Sequence, residues 1–212
     1  MKFNFKIQQY QTDAVDAVIN VFNGQGFHDK TNYIRDLGNK NQTDAQMTIN
    51  TPDEEFDVIN DIGYKNELVE LSDEQLLQNI HTLQSQNNIK LSPSLVKDLG
   101  RCSLDIEMET GTGKTYVYIK TMFELNKKYG WSKFIVVVPS IAIREGVKKS
   151  FEVTTDHFME HYGKKARFFI YNSSNLNQLD NFSSGSGINV MIINTQAFAT
   201  SLKEGGLSLI HI

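Results

Sequence analysis

Apolar and polar positions alternate along this chain in patterns that predict both helices and strands. From Tyr10 onward, apolar residues recur every three or four positions, which predicts an amphipathic helix whose apolar face is Ala14, Val15, Val18, Ile19 and Phe22. Mostly apolar runs at 134–138, 166–171 and 188–193 predict strands, and the intervals 116–129 and 141–161 have helical spacing. Strands that alternate with helices predict an α/β fold with a parallel sheet.

The signals at the ends of these elements agree with this interpretation. Gly130 ends the helix at 116–129, Pro139 ends the strand at 134–138, and Ser140 can cap the next helix. The run at 134–138 is continuous and β-branched, which is typical of a parallel strand buried on both faces. The polar stretch at 172–187 is predicted to be a loop.

One stretch, 103–121, combines three kinds of local structure. Leu104, Ile106 and Met108 alternate with acidic residues and predict a short strand. Residues 110–115 read Thr-Gly-Thr-Gly-Lys-Thr, and an apolar helical pattern follows. A strand, a glycine loop and a helix in this order predict a phosphate-binding loop. The alternative is an ordinary glycine turn before a helix.

Each residue type in this loop has a chemical reason. Gly111 and Gly113 let the backbone turn tightly, so that successive N–H groups can converge on phosphate oxygens. Lys114 would place its ammonium on the β and γ phosphates of ATP, and the Thr115 hydroxyl would bind Mg²⁺; these two are the candidate catalytic residues. The candidate cofactor-binding residues of the loop are Thr110, Gly111, Thr112, Gly113, Lys114 and Thr115.

Charge is distributed unevenly along the chain. The net charge is −4, with 8 Lys/Arg against 15 Asp/Glu in residues 1–100 and 13 against 10 in residues 101–212. The acidic excess therefore precedes the glycine loop and does not exclude a local nucleic-acid surface further on. The longest apolar run, 134–138, is too short to cross a membrane. We therefore expect a cytoplasmic protein that does not act at a membrane.

Cysteine and histidine give little sign of a disulfide or a metal site. Cys102 is the single cysteine, which excludes an internal disulfide. His157 and His161 are four residues apart on a predicted helix, but the sequence offers no third ligand nearby. Both histidines are therefore predicted to be surface residues.

The segment 24–101 is unusually long for a connection between two motifs. Residues 39–61 are rich in Asn, Gln, Asp and Thr, which predicts a loop or a weakly ordered insertion. Further on, Ser72 and Gln75 have the spacing of a capping box and predict the start of a short helix.

Two motifs resemble those of superfamily 2 helicases and translocases. Met108 stands where the general phosphate-loop pattern has glycine, and Met-Glu-Thr-Gly-Thr-Gly-Lys-Thr resembles motif I of that superfamily. Upstream, Ile7, Tyr10 and Gln11 are similar to its adenine-reading glutamine motif. The resemblance implies that ATP is the nucleotide and that Gln11 contacts adenine, which an amide can do by donating and accepting at once. A plain helix start at Gln11 is the alternative.

Two further segments resemble sites that contact the DNA backbone in superfamily 2 proteins. Ser140 and Arg144 follow the strand at 134–138, as motif Ia does, and Thr195 and Gln196 follow the strand at 188–193, as motif Ib does. Ser140 and the helix start could hold a phosphate, to which Arg144 would add charge. The alternatives are a solvated helix face for Arg144 and a plain N-cap for Thr195.

Three segments narrow the resemblance to the Res subunit of type III restriction enzymes. They are 108–121, 137–147 and 193–198, and the similarity covers Phe5 to about Gly206. The resemblance implies an ATP-dependent translocase on double-stranded DNA that works with a methyltransferase (Mod) subunit and cuts through a C-terminal nuclease domain. It also implies that this chain is an N-terminal fragment, because it has no Asp-Glu motif after a strand and no second RecA-like half.

The expected fold is a P-loop RecA-like doubly wound parallel sheet, incomplete, with an α-rich or irregular insertion. The expected units are an adenine-reading helix at 1–23, an acidic polar insertion at 24–101, a RecA-like core at 102–206, and a tail at 207–212 whose native origin is left open. Three alternatives remain: another superfamily 2 DNA helicase, a P-loop ATPase that does not act on DNA, and a truncated nucleotide-binding module without catalysis.

Overall fold

The computed structural model describes residues 5–35, 62–98, 100–172 and 177–203, with side chains described as far as residue 199. The predictions for residues 39–61 of the insertion and for the tail, 207–212, lie outside the described residues. The part of the insertion after residue 61 is described. The elements, in chain order, are α1 (Gln9–Val21), β1 (Asn32–Ile34), β2 (Ile62–Tyr64), α2 (Asp73–Gln86), α3 (Lys114–Tyr129), β3 (Lys133–Val138), α4 (Ile141–Tyr162), β4 (Arg167–Ile170), α5 (Asn177–Ser184), β5 (Asn189–Asn194) and α6 (Thr195–Lys203).

A parallel three-stranded sheet lies at the centre of the molecule, in the order β3-β5-β4. β5 lies between the other two strands, and its residues Val190, Met191 and Ile192 are completely buried. Because side chains alternate along a strand, Val190 and Ile192 pack with α3 and α4, whereas Met191 packs with α5 and α6 on the other face. The prediction of a mixed α/β fold with a parallel sheet is confirmed.

α1 packs along α3 and brings the start of the chain to the glycine loop. Val15 and Ile19 form a buried cluster with Val117 and Tyr129. The Tyr129 hydroxyl also donates to the Ile19 carbonyl oxygen at 2.9 Å. The predicted amphipathic helix is confirmed, and its apolar stripe is what holds it on α3.

The predicted capping box at the start of α2 is confirmed. The Gln75 N–H donates to the Ser72 hydroxyl oxygen (3.2 Å), and the Ser72 N–H donates to the Gln75 side-chain oxygen (2.8 Å). Leu76, completely buried, packs with Val21 of α1 and with Leu71. This part of the insertion is therefore attached to the same body as α1.

The predicted strand at 104–108 is wrong. Residues 102–109 are all described and form no strand, and Ile106 is 47% exposed. A strand needs a neighbour that accepts and donates its backbone hydrogen bonds. Among the described strands, none pairs with this segment. The alternation of apolar and acidic residues is therefore not sufficient to form a strand here.

The prediction that β3 is buried on both faces is also wrong. Val137 is 42% exposed, and β3 pairs only with β5 among the described strands. The central strand with full burial is β5 instead. A continuous apolar run does not distinguish an edge strand from a central one, because that depends on which strands lie beside it.

The polar stretch at 172–187 contains a helix as well as loop, which corrects the prediction. α5 occupies Asn177–Ser184, and its Phe182 is 2% exposed against Met191. Asn, Gln, Asp and Ser make up most of this helix, and Phe182 is its one buried residue. The apolar signal was too short to predict a helix.

Candidate nucleotide-binding site

The glycine loop has the backbone conformation that its two glycines permit. Gly111 has a φ of +83° and Gly113 a φ of +87°, both in the left-handed region that a side chain disfavours. A Cβ on Gly113 would also lie 2.6 Å from the Gln11 amide nitrogen. The loop therefore requires glycine at position 113 for its conformation, and a Cβ there would displace the end of the Gln11 side chain.

α3 begins at Lys114, directly after the loop. Gly113 is its N-cap and has no side chain to accept from the first N–H groups, and the first turn has no acidic residue. The start of an α-helix has unpaired N–H groups and a partial positive charge. The loop and the helix start together offer a concentration of backbone donors that suits an anion.

Lys114 lies over its own loop. Its ammonium donates to the Glu109 carbonyl oxygen at 2.8 Å and also to the Met108 carbonyl oxygen. The side chain is exposed, whereas Thr115, next along the first turn, is half-buried. The lysine is thus held at the mouth of the loop by neutral acceptors, which an anionic ligand could replace.

α1 contacts the loop through two consecutive side chains. The Gln11 amide nitrogen donates to the Thr112 carbonyl oxygen at 2.9 Å, and the Tyr10 hydroxyl donates to the same oxygen at 3.2 Å. Gln11 is buried, and Tyr10 is 48% exposed. The structure therefore brings Gln11 next to the glycine loop across a separation of about a hundred residues.

Thr110 and Thr112 differ in their surroundings. Thr110 is exposed at the start of the turn, and Thr112 is half-buried. The Thr112 hydroxyl donates to the Glu109 carbonyl oxygen at 2.6 Å, which closes the turn before the second glycine. Thr112 thus stabilises the loop through two groups: its hydroxyl donates to Glu109, and its carbonyl oxygen accepts from α1.

The candidate DNA-contact residues lie at one edge of the sheet. Val138 and Asn194 are register partners at the carboxyl ends of β3 and β5, so Ser140 and Thr195 follow neighbouring strands. Ser140 caps α4, since the Ile143 N–H donates to its hydroxyl oxygen at 3.3 Å. Ser140, Thr195 and Gln196 are exposed.

Two of the alternatives for these residues are corrected. Arg144 is not a freely solvated side chain, because it is 21% exposed and pairs with Glu145 at 3.2 Å. Thr195 is not the N-cap of α6: the Ala197 N–H donates to the Asn194 side-chain oxygen at 2.7 Å, so Asn194 is the capping residue. Asn194 directly precedes Thr195, and asparagine is a preferred residue type at an N-cap.

The prediction that His157 is a surface residue is wrong. It is 7% exposed, and its Nε2 lies 2.9 Å from the hydroxyl oxygen of Tyr116, the residue after Thr115. Its ring contacts Phe5, Tyr116 and Phe158. Burial lowers the pKa of His157, and the neighbouring His161 adds to this effect. Thr154 and Phe158 are buried on the same helix face as His157. The position of His157 on that face, next to Phe158, is the sequence signal that could have located it in the core.

Two contacts near the loop had no sequence prediction. The motif that includes Tyr10 predicts no contact for it, yet its hydroxyl donates to the same carbonyl oxygen as Gln11. Lys120, 9% exposed, donates to the Thr12 hydroxyl oxygen at 2.9 Å and ties α3 to α1. The aromatic residue directly before Gln11 is the sequence signal for the Tyr10 contact. The spacing of apolar and polar residues in α3 gives no sign that Lys120 is buried.

Among the helices in the described ranges, none combines the length and the apolar character needed to span a bilayer. Within those same ranges, no group of three His, Cys, Asp or Glu side chains has an arrangement that could hold a metal ion.

A family model and three individual relatives all point to the same protein family. The family model for the res subunit of type III restriction enzymes matches residues 4–209. The match includes α1, the glycine loop and every strand of the parallel sheet.

Three relatives carry that name. The EcoP15I Res subunit of Escherichia coli is 38% identical over 113 residues, 51% of this chain and 11% of the relative. The EcoPI Res subunit of Escherichia phage P1 is 30% identical over 166 residues, 77% of this chain and 14% of the relative. The StyLTI Res subunit of Salmonella typhimurium is 42% identical over 83 residues, 38% of this chain and 8% of the relative. The matched part of this chain thus spans 8 to 14% of the length of these relatives.

Proposed function

Because the chain belongs to the family of type III restriction enzyme Res subunits, we propose that it forms the ATP-binding part of a helicase-like motor, the first half of a RecA-like pair. The observation that carries the proposal is the glycine loop, which has two left-handed glycines immediately before the uncapped start of α3. In this assignment, residues 1–23 form the base-reading unit, 24–101 an insertion, and 102–206 the RecA-like core.

The residues present fit a magnesium nucleotide. The loop has two glycines in the left-handed conformation, and the first turn of α3 has no acidic residue that would repel phosphate. Backbone N–H groups of 111–115 and the Lys114 ammonium would hold the phosphates, and the Thr115 hydroxyl would be a ligand of Mg²⁺. Bound Mg²⁺ neutralises charge that develops on the phosphates during transfer.

Gln11 is proposed to recognise adenine. One amide hydrogen is engaged with the Thr112 carbonyl oxygen. A side-chain amide has a second N–H and an acceptor oxygen, which together complement the adenine edge formed by N6 and N7. The same side chain would thereby connect the base to the loop that holds the phosphates.

Double-stranded DNA is the proposed substrate of the whole protein, and a Mod methyltransferase subunit is its proposed partner. The relatives are named as subunits of restriction-modification enzymes. In this chain, Ser140, Arg144, Thr195 and Gln196 would lie along the DNA backbone, because they follow neighbouring parallel strands at one edge of the sheet. DNA cleavage would need a nuclease domain that none of the described residues forms.

Substitution of Lys114 tests the nucleotide site. Lys114→Ala should abolish MgATP binding measured by titration calorimetry, whereas the original chain should bind with a free energy of about −5.5 kcal/mol if Kd is near 0.1 mM. The fold should survive, because the side chain is exposed and its hydrogen bonds go to two carbonyl oxygens of its own loop.

Lys149→Ala is the matched control, since Lys149 is an exposed lysine that pairs with Glu152 on α4. It should bind MgATP as the original chain does, and circular dichroism should show the same helix content in all three proteins. Equal affinities of the Lys114 variant and the original chain would contradict the assignment of the phosphate loop.

A further inference from the structure

Tyr10 and Gln11 engage a single carbonyl group in the centre of the glycine loop. The Thr112 carbonyl oxygen accepts from the Gln11 amide at 2.9 Å and from the Tyr10 hydroxyl at 3.2 Å. A carbonyl oxygen has two lone pairs, so these two donors use its whole accepting capacity. α1 therefore fixes the direction of this C=O bond through two hydrogen bonds.

That direction also fixes an N–H group. The Thr112 carbonyl belongs to the peptide unit that contains the Gly113 N–H, and the peptide is trans. In a trans peptide the C=O and N–H bonds point in opposite directions. Since the carbonyl points towards Tyr10 and Gln11 of α1, the Gly113 N–H points away from these two side chains.

The two glycines make such a restraint necessary. Gly111 and Gly113 flank Thr112, and glycine populates positive and negative φ about equally. Nothing intrinsic to the glycine backbone would keep the 112–113 peptide in one orientation. The Thr112 hydroxyl closes the preceding turn on the Glu109 carbonyl oxygen but does not hold this carbonyl.

α1 is itself firmly attached to the helix that carries the site. Lys120 and Tyr129 of α3 donate to Thr12 and Ile19 of α1, both at 2.9 Å. Val15 is completely buried in the cluster between the two helices. Tyr10 and Gln11 are therefore held in a constant position relative to the start of α3.

We propose that Tyr10 is a positioning residue of the phosphate loop: with Gln11, it holds the Thr112 carbonyl so that the Gly113 N–H faces the phosphates. The inference rests on the proposed nucleotide-binding function. Tyr10 then acts on phosphate affinity whatever base is attached, which separates its role from the base recognition proposed for Gln11.

The test compares Tyr10→Phe with the original chain in the full 212-residue protein. Binding of MgATP and of magnesium tripolyphosphate is measured by calorimetry. Because the variant loses one hydrogen bond to the loop, its affinity for both ligands should fall by the same factor, roughly threefold to tenfold. Tyr64→Phe is the matched control: it removes a tyrosine hydroxyl from β2, and it should bind both ligands as the original chain does.

A spectroscopic signature separates positioning from a general loss of structure. In ¹H–¹⁵N spectra, the Gly113 amide resonance should shift in Tyr10→Phe while amide resonances of the parallel sheet stay in place, because the ring is 48% exposed and only its hydroxyl is removed. Unchanged tripolyphosphate affinity, with or without loss of ATP affinity, would overturn the inference. If the original chain binds neither ligand, the proposed nucleotide site fails and this inference fails with it.

Discussion

At the scale of single residues, Lys133 shows how a buried charge responds to pH. It is 4% exposed, its ammonium donates to the Phe182 and Gly185 carbonyl oxygens, and it lies 5.3 Å from the centroid of the Phe182 ring. Burial lowers its pKa to about 8, and the positive charge of Arg167 adds to this effect. Between pH 8 and the ordinary lysine range, the unfolded chain holds a proton that the folded chain has released.

Stability should therefore rise with pH in that window. An unfolded state that binds more protons is disfavoured as the pH increases, so Lys133 contributes on the order of 2 kcal/mol of additional stability between pH 8 and 10. The measurement is urea unfolding of the original chain and of Lys133→Met at both pH values. The change in the free energy of unfolding with pH should be smaller in Lys133→Met, and the difference between the two proteins is the contribution of this lysine. Lys149→Met, at a 72% exposed site, should show the same change with pH as the original chain.

At the scale of whole elements, the sequence was most informative where a helix carries its own end signals. α3 ends at Gly130, as expected, and α2 begins with the expected capping box. These signals act between residues close in sequence, so they can be read locally. The strand at 104–108 and the burial of β3 depend instead on neighbours from distant parts of the chain, which local alternation does not specify.

Two glycines that end helices allow a matched test of tertiary contact. Gly130 ends α3 with a φ of +81°, and Gly163 ends α4 with a φ of +63°. A Cβ on Gly163 would meet nothing, whereas a Cβ on Gly130 would lie 2.0 Å from the His28 carbonyl oxygen. Gly163→Ala should cost about 1–2 kcal/mol from the left-handed backbone alone.

Gly130→Ala should cost more, by about 2 kcal/mol or more beyond Gly163→Ala, because the backbone at His28 would have to move. Urea unfolding measures both free energies. Equal losses would show that the segment around His28 gives way freely and that its contact with the end of α3 contributes little to stability.

At the scale of the whole molecule, the candidate site joins residues from two distant parts of the chain. Gln11 and the loop were both predicted as nucleotide contacts, and the structure places the Gln11 amide 2.9 Å from the Thr112 carbonyl oxygen. The sequence did not reveal that Lys114 rests on its own loop or that Tyr10 reaches the same carbonyl. Both contacts depend on how α1 lies on α3, which follows from packing and not from any local pattern.

This arrangement couples α1 to the loop when nucleotide binds. A ligand that binds only the folded site lowers the population of its open forms by a factor of 1 + [L]/Kd, about 100-fold at 10 mM MgATP if Kd is near 0.1 mM. Because Gln11 would contact both the base and the loop, amide hydrogen exchange should slow in α1 as well as at 110–115. Val15 and Ile19, buried between α1 and α3, are the positions at which this protection should be strongest in the helix.

The antiparallel pair of β1 and β2 is the internal control, since these strands pair only with each other in the described sheets and should exchange at the same rate with and without nucleotide. Gln11→Ala should weaken protection of the loop, because the Thr112 carbonyl loses one of its two donors, and should remove most of the nucleotide-dependent protection of α1. Protection confined to the loop in the original chain would show that α1 takes no part in binding. Residues 102–206 would then have to account for nucleotide recognition without the helix that packs against them.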